Sequence, residues 1–427
     1  MRPSAYRTWL FLSLVTALIN TTVFTTAAVY FVRDVGANPL QLVLIGTVME
    51  FAIFLFELPT GAFADSHGRR ASVVISHVIQ GIAFLIVAAS TSYVAVLIAY
   101  IVWGVGSTFS SGALEAWITD EMEGRDLEKV FLRGGQFFAA GQLAGFIVAA
   151  IVSNIALALP FAVGGVMSIL FGAVLAALMR EDHWSSSVRT EIGAFRRLRA
   201  TATEGVGIVR KSHLLLSVLG FVALLGMYTE SFDRLWEAHM LAAVEFPTLA
   251  QLRPVVWFAI IGAVELVIGI VVMGRVAARF TYTGPDSSLR SLKLLVAIQL
   301  AGLLVFALTS DFYVAVAAAF SVGLARGIGT TLFYAWLNRQ IESSHRATVL
   351  SIVNQSDAVG QWLGGPAIGA VGTVLSLRWA LSLGALILLP ATALLDRVRT
   401  TLRTSSQRPD ARGELLLAGS AEEASDG

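Results

Sequence analysis

The segment that decides the fold is Glu57-Leu-Pro-Thr-Gly61-Ala-Phe-Ala-Asp65-Ser-His-Gly68-Arg69-Arg70, a polar stretch between two long apolar runs. The run before it (40–56) and the run after it (73–89) each approach the roughly 20 apolar residues that a helix needs to cross a bilayer. We therefore predict that this segment is a short loop at one membrane face, between two spanning helices.

The composition of the whole chain is that of an integral membrane protein. Of its 427 residues, 56% are hydrophobic and 14% are charged, whereas soluble domains carry roughly 25% charged residues. Apolar windows predict an all-α membrane protein with twelve transmembrane helices, at 8–32, 40–63, 71–89, 93–119, 131–154, 160–179, 214–243, 254–278, 288–309, 313–337, 347–373 and 376–396.

Polar segments divide the predicted spans into two blocks of six. We predict an N-terminal six-helix half at 1–180, a cytoplasmic linker at 181–213, a C-terminal six-helix half at 214–396, and a disordered cytoplasmic tail at 397–427. The tail is rich in Ser, Thr, Gly and acidic residues, a composition that cannot bury an apolar core.

Basic residues predict the orientation in the membrane. Of the 30 Lys and Arg residues, 25 fall on the side that holds both termini and the linker. Lys and Arg are enriched in cytoplasmic loops. We therefore expect a multi-pass protein of the cell inner membrane with both termini in the cytoplasm.

The two blocks contain a weak internal repeat at an offset of 219 residues. Matching residues include Ala116-Trp117 with Ala335-Trp336 and Gln136 with Gln355; the glycine pairs are Gly104 with Gly323, Gly141 with Gly360 and Gly145 with Gly364. This repeat predicts two pseudo-symmetric halves.

The spacing Gly61-x-x-x-Asp65-x-x-Gly68-Arg69-Arg70 resembles the loop between the second and third helices of the major facilitator superfamily. The resemblance implies a twelve-helix transporter that works by alternating access, with its substrate site at the interface of the two repeats. It also implies that Asp65 and Arg69 lock this loop to the cytoplasmic end of the eleventh helix, and that Gly61 and Gly68 permit tight packing.

Two observations bear on this conformational lock. Arg69 and Arg70 alone are also explained by the preference for basic residues at the cytoplasmic face. The corresponding second-half segment, Gly274–Arg279, has Ala278 where the acid would stand, so we expect a second lock to be degenerate.

Ionisable residues inside the predicted spans are candidates for proton coupling, because charges at bilayer depth are costly and face a cavity or a partner. Asp357, Glu50 and Glu265 each lie near mid-depth, with Arg326 as the expected counter-charge. A carboxylate in such a place can exchange a proton near neutral pH. The alternative is a static buried ion pair that holds helices together.

Two polar helix faces are candidates for the substrate cavity. In the eleventh span, Asn354, Asp357 and Gln361 share one face; in the seventh, Glu230, Asp233 and Arg234 do so. The second face could line the substrate route or form an ion-pair gate, or it could be the wall of a solvated vestibule.

Several classes of function are excluded. The chain has no cysteine, and its six histidines are scattered, so we expect no metal and no cofactor. It has no nucleotide-binding loop or nucleophile elbow, and so we expect no enzyme. With a net charge of +1 and no basic stripe, nucleic acid is not an expected partner.

The expected partners are a small-molecule substrate, protons and the lipid bilayer, and we expect a monomer. The segments Glu57–Asp65 and Leu114–Trp117 look most like those of bacterial drug-efflux members of the superfamily. We therefore predict proton-coupled efflux of amphipathic compounds. The alternatives are a metabolite or sugar symporter of the same fold, and a non-transporting membrane scaffold.

Overall fold

A computed structural model describes residues 4–182, 212–248, 251–279, 284–341 and 346–406. These residues form fourteen α-helices. The helices of the first half are α1 (Ala5–Arg33), α2 (Pro39–His67), α3 (Arg69–Ala89), α4 (Tyr93–Ser110), α5 (Ala113–Glu121), α6 (Leu127–Val152) and α7 (Leu159–Leu178). Those that follow are α8 (His213–Ala243), α9 (Pro254–Arg279), α10 (Pro285–Leu308), α11 (Phe312–Gln340), α12 (Arg346–Val374), α13 (Leu377–Leu386) and α14 (Leu388–Ser406).

Each of the twelve predicted spans coincides with helical structure, and two of the spans are broken. The fourth span is divided into α4 and α5 at Gly112, whose φ of 69° is left-handed and favours glycine. The twelfth span is divided into α13 and α14 at Ile387.

By length and composition, eleven helical segments in the described residues could cross a membrane. Helix α12 is not among them although it has 29 residues. Asn354, Asp357 and Gln361 lie in its middle and lower its hydropathy. The long helix that is missing from these segments is therefore one that holds three of the predicted cavity residues.

Packing divides the chain into two compact units, 1–189 with 246–268 and 190–245 with 269–427. The boundaries that we predicted place 246–268 in the C-terminal half instead. The first part of α9 belongs to the first unit because Gly262 faces the ring of Phe146 on α6, where an added Cβ would collide with that ring.

The internal repeat has a counterpart in how the helices pack inside each unit. In the first unit, Gly141 and Gly145 of α6 lie against the backbone carbonyls of Leu14 and Leu18 on α1. In the second unit, the equivalent Gly360 and Gly364 of α12 lie against Ala223 and Met227 of α8. Small residues allow helix backbones to approach closely in membranes. The two halves are pseudo-symmetric, as predicted.

The end of the chain is more ordered than its composition suggested. Helix α14 continues through Arg397 to Ser406, whereas we predicted a disordered tail from residue 397. Val398 and Leu402 are buried, and this apolar stripe extends the helix. Residues 407–427 of the predicted tail, and residues 183–211 of the predicted linker, lie outside the described residues.

Candidate functional site

The predicted loop around Asp65 is almost entirely helical. Helix α2 runs to His67 and α3 begins at Arg69, so Gly68 alone forms the turn. Gly61 and Asp65 therefore lie in the last turns of α2, and the short loop predicted at 57–70 is reduced to Gly68. The apolar and alanine-rich residues around Gly61 continue the helix until Gly68, whose φ of 103° ends it.

The start of α3 is held by an acid that is distant in sequence. Glu181, which follows α7, accepts hydrogen bonds through Oε1 from the backbone N–H groups of Arg69 (2.5 Å) and Arg70 (3.2 Å). The first N–H groups of a helix have no partner inside the helix, and the positive end of the helix dipole attracts an anion. Glu181 therefore caps α3.

The two glycines of the motif differ in their surroundings. At Gly68, a Cβ would meet the carboxylate of Glu181, and the positive φ is itself unfavourable for other residues. At Gly61, a Cβ would meet none of the described atoms within 4 Å. The expected tight packing is thus present at Gly68 and is not seen at Gly61.

The arginines of the motif bind elements of their own unit. The Arg69 guanidinium forms an ion pair with Asp120 near the end of α5, and Arg70 donates to the carbonyl of Ala176 in α7. Close by, Trp117 of α5 donates its indole N–H to the carbonyl of Arg180 at 2.5 Å. We call Arg69, Arg70, Asp120 and Glu181 the lock network.

Asp65 is not part of the lock network. Its side chain is exposed and forms no hydrogen bond or ion pair with any residue that the structure describes. The sequence predicts that Asp65 and Arg69 lock this turn to the cytoplasmic end of the eleventh span, which is α12. That role stays a prediction. Sequence reasoning missed Asp120 and Glu181; the available signal was that both are acids at the ends of predicted spans on the same membrane face as Arg69.

The second unit has an ion-pair cluster between α10 and α14. Asp286, at the start of α10, accepts from Arg399 (2.5 Å) and Arg403 (2.9 Å) of α14. Nearby, Lys293 of α10 pairs with Asp396 of α14 at 2.5 Å. In the first unit α3 supplies the basic residues, and α5 and the end of α7 supply the acids; here α10 supplies the acid Asp286 and the base Lys293. We predicted a degenerate second lock from Gly274–Arg279; this ion-pair cluster lies at Asp286 instead.

The predicted cavity residues of the second unit form a polar cluster. Arg326 of α11 donates to Asp233 of α8 through Nη1 and Oδ1 at 2.6 Å. We had assigned Arg326 as the counter-charge to Asp357, Glu50 or Glu265; the structure pairs it with Asp233. Both side chains are partly exposed, with 35% and 45% of their areas accessible, so the pair borders an open space.

Asp357 has a neutral hydrogen-bond partner. The amide of Gln361 donates to its carboxylate at 2.8 Å, and no ion pair of Asp357 occurs in the described part of the chain. Asp233 belongs to the same unit as Asp357. On the same helix, Asn354 accepts from the hydroxyl of Tyr334 on α11 at 2.7 Å. Asp233, Arg326, Asn354, Asp357 and Gln361 thus lie in one unit.

The remaining predicted residues are Glu230 and Arg234 on α8, and Glu50 and Glu265 in the first unit. Glu230 is buried and forms an ion pair of 3.2 Å with Arg234 on the next turn of α8. Glu50 on α2 and Glu265 on α9 are half-buried and belong to the first unit. The structure therefore does not gather all three predicted coupling acids in one unit.

Two six-helix halves with ionisable residues inside their spans define the class, a polytopic helical membrane transporter. The sequence profile of the Major Facilitator Superfamily matches residues 10–280. The chain belongs to this superfamily.

Individual similar proteins agree with the family. The chain is 27% identical over 123 residues to YxaM of Bacillus subtilis (strain 168), described as an uncharacterized MFS-type transporter, and the match covers 29% of this chain and 31% of that relative. The chain therefore matches less than a third of that relative's length.

Solved structures show the same fold at low sequence identity. The nucleoside transporter NupG is 13% identical with a TM-score of 0.74, over 93% of this chain and 99% of that one. A bacterial homolog of the human lysosomal transporter Spinster is 15% identical with a TM-score of 0.70, over 94% and 98%. The peptide transporter POT is 12% identical with a TM-score of 0.70, over 95% of each chain.

Proposed function

We propose that the protein is a secondary transporter that exports amphipathic compounds in exchange for protons, with Asp357 as the proton-carrying group. We further infer that it lies in the cell inner membrane with both termini in the cytoplasm, on the strength of the distribution of its Lys and Arg residues. Asp65 and the lock network would bias which side of the transporter is open.

The observation that carries the proposal is the set of partners around Asp357. Its carboxylate lies within a helix of the second half and is bonded to neutral Gln361, while the nearby cation Arg326 is bonded to Asp233. An unpaired carboxylate inside a membrane protein is costly when charged. Protonation removes that cost, so the proton occupancy of Asp357 can follow the pH on the side to which it is open.

Proton exchange at this position can be linked to substrate binding. Once Asp357 loses its proton, its charge can attract Arg326 away from Asp233 or bind a cationic substrate directly. A proton and a substrate that compete for one carboxylate each weaken the binding of the other by the same factor. This mutual exclusion is the linkage that an antiporter needs.

A metabolite symporter is the second candidate. It is favoured by the partly exposed pair of Arg326 and Asp233, since a charged, open pair can bind hydroxyl, amino or carboxylate groups of a polar solute. The structural neighbours NupG and POT are described as nucleoside and peptide transporters. A symporter would move its solute in the same direction as protons.

The test uses purified protein reconstituted in liposomes with an imposed pH gradient. A fluorescent lipophilic cation is the probe for export, and nucleosides, dipeptides and sugars are the probes for symport. Movement of the lipophilic cation against the proton flux supports the proposal. Movement of a polar solute with the protons supports the second candidate instead.

Asp357→Asn tests the coupling residue, with Asp34→Asn as the matched control, because Asp34 is an exposed acid at the end of α1. We expect Asp357→Asn to abolish transport against a gradient while detergent-solubilised protein still binds substrate, now without pH dependence. Accumulation with an unchanged pH profile would exclude Asp357 as the coupling residue. Glu50 and then Glu265 would be the next candidates.

A further inference from the structure

A cleft of about 590 Å³ opens between α8 and α14, at the end of the second unit where α8 begins and α14 ends. Its lining includes Leu216 and Ser217 from the first turns of α8, and Leu394, Arg397 and Thr401 from α14. The volume is in the range of small-molecule sites, roughly 300–1,000 Å³. None of these residues takes part in the polar cluster around Asp357.

Among the described charges near the cleft, Arg397 is a basic side chain without a partner. Arg399 and Arg403 are bonded to Asp286, and the lining acid Asp396 is bonded to Lys293. Arg397 is exposed and makes no hydrogen bond or ion pair through its side chain with any residue in the described ranges. The cleft therefore presents an available guanidinium beside an acid that is already neutralised.

The lining of the cleft is amphipathic. Leu394 lies toward the membrane-spanning part of α14, and Leu216 is 45% exposed on α8. Arg397 and Thr401 lie toward the end of α14. The start of α8 adds the positive end of a helix dipole. The cleft therefore combines apolar side chains with a guanidinium at this end of the helices.

We infer that this cleft binds the phosphate group of an anionic phospholipid from the membrane leaflet at this end of the helices. A guanidinium binds phosphate with charge-assisted and often bidentate hydrogen bonds. Basic residues just outside a membrane-spanning helix attract anionic lipids. Leu216 and Leu394 favour a lipid over free phosphate, because they offer contacts to the glycerol and upper acyl chain that inorganic phosphate cannot use.

The test is lipid retention by the purified full-length protein in native mass spectrometry, with dioleoylphosphatidylglycerol, dioleoylphosphatidylcholine and inorganic phosphate as separate probes. We compare wild type with Arg397→Gln, and we use Arg275→Gln as the matched control. Arg275 is also exposed, lies on the same predicted membrane face and is remote in sequence from the cleft. Arg397→Lys keeps the charge and is expected to retain most of the binding.

We expect the wild type and Arg275→Gln to retain phosphatidylglycerol in preference to phosphatidylcholine. Arg397→Gln should weaken this binding about fivefold, since a basic residue near an anionic membrane surface contributes about 1 kcal/mol. Equal retention by Arg397→Gln and wild type would overturn the site. Equal retention of both lipids by the wild type would overturn the specificity, and equal retention of inorganic phosphate would overturn the lipid as the source of the bound phosphate group.

Discussion

The Glu181 carboxylate caps the first turn of α3 by accepting the backbone N–H of Arg69 at 2.5 Å. This contact joins the end of the sixth predicted span to the turn between the second and third. It uses the backbone of Arg69, so the guanidinium of the same residue stays available for Asp120. Arg69 therefore connects the start of α3 with the end of α7 and with α5.

Loss of this cap should destabilise the first unit. We expect Glu181→Ala to lower the free energy of unfolding by about 1 kcal/mol, as for other helix N-caps, measured by chemical denaturation of the purified protein. Asp182→Asn is the control, because Asp182 is exposed and pairs with Arg180. If both variants were equally stable, the cap would contribute nothing.

The two glycines of the motif should respond differently to alanine. Gly68→Ala places a Cβ against Glu181 at a positive φ, and we expect it to cost about 1–3 kcal/mol, the range for a strained backbone position. Gly61→Ala meets open space within a helix and should leave the melting temperature unchanged or slightly raised. Equal losses at both positions would contradict the geometry.

Asp286 should stabilise the C-terminal end of α14. We expect Asp286→Asn to expose residues of α14 to faster amide hydrogen exchange, because Arg399 and Arg403 lose their common charged partner. Asp311→Asn is a suitable comparison, since the Asp311 side chain accepts from the backbone N–H of Val314 and caps α11. Unchanged exchange at Val398 and Leu402 would show that apolar packing alone holds this helix end.

Topology can be tested directly because the chain has no native cysteine. We expect Thr248→Cys, between α8 and α9, to react with an impermeant maleimide added to intact cells. Ser187→Cys, which lies outside the described residues, should react only after the cells are opened. Labelling of Ser187→Cys from outside would reverse the predicted orientation.

Hydropathy predicted the spans well, because a bilayer requires a certain length of apolar helix whatever the tertiary contacts are. The partners of charged side chains were harder to predict. Arg326 was matched to acids at similar depth, yet it binds Asp233. Depth along a helix says nothing of the direction in which a long side chain points.

The helical end of the chain was missed for a related reason. Residues 397–406 are polar on average, but Val398 and Leu402 fall on one face and Arg399 and Arg403 meet Asp286 more than a hundred residues earlier. Average composition does not reveal a single stripe of buried apolar residues, or an acid distant in sequence that pairs with the arginines. The glycine pairs of the repeat, in contrast, were visible because both halves use the same packing.

Those glycine contacts join helices that are synthesised far apart in time. Gly141 of α6 packs on Leu14 of α1, so the first helix enters the bilayer long before its closest neighbour has been translated. Gly360 of α12 and Ala223 of α8 impose the same delay on the second half. Chains elongate at roughly 5–20 residues per second, and α1 must therefore stay inserted for several seconds with its contact face covered by lipid or by the insertion machinery.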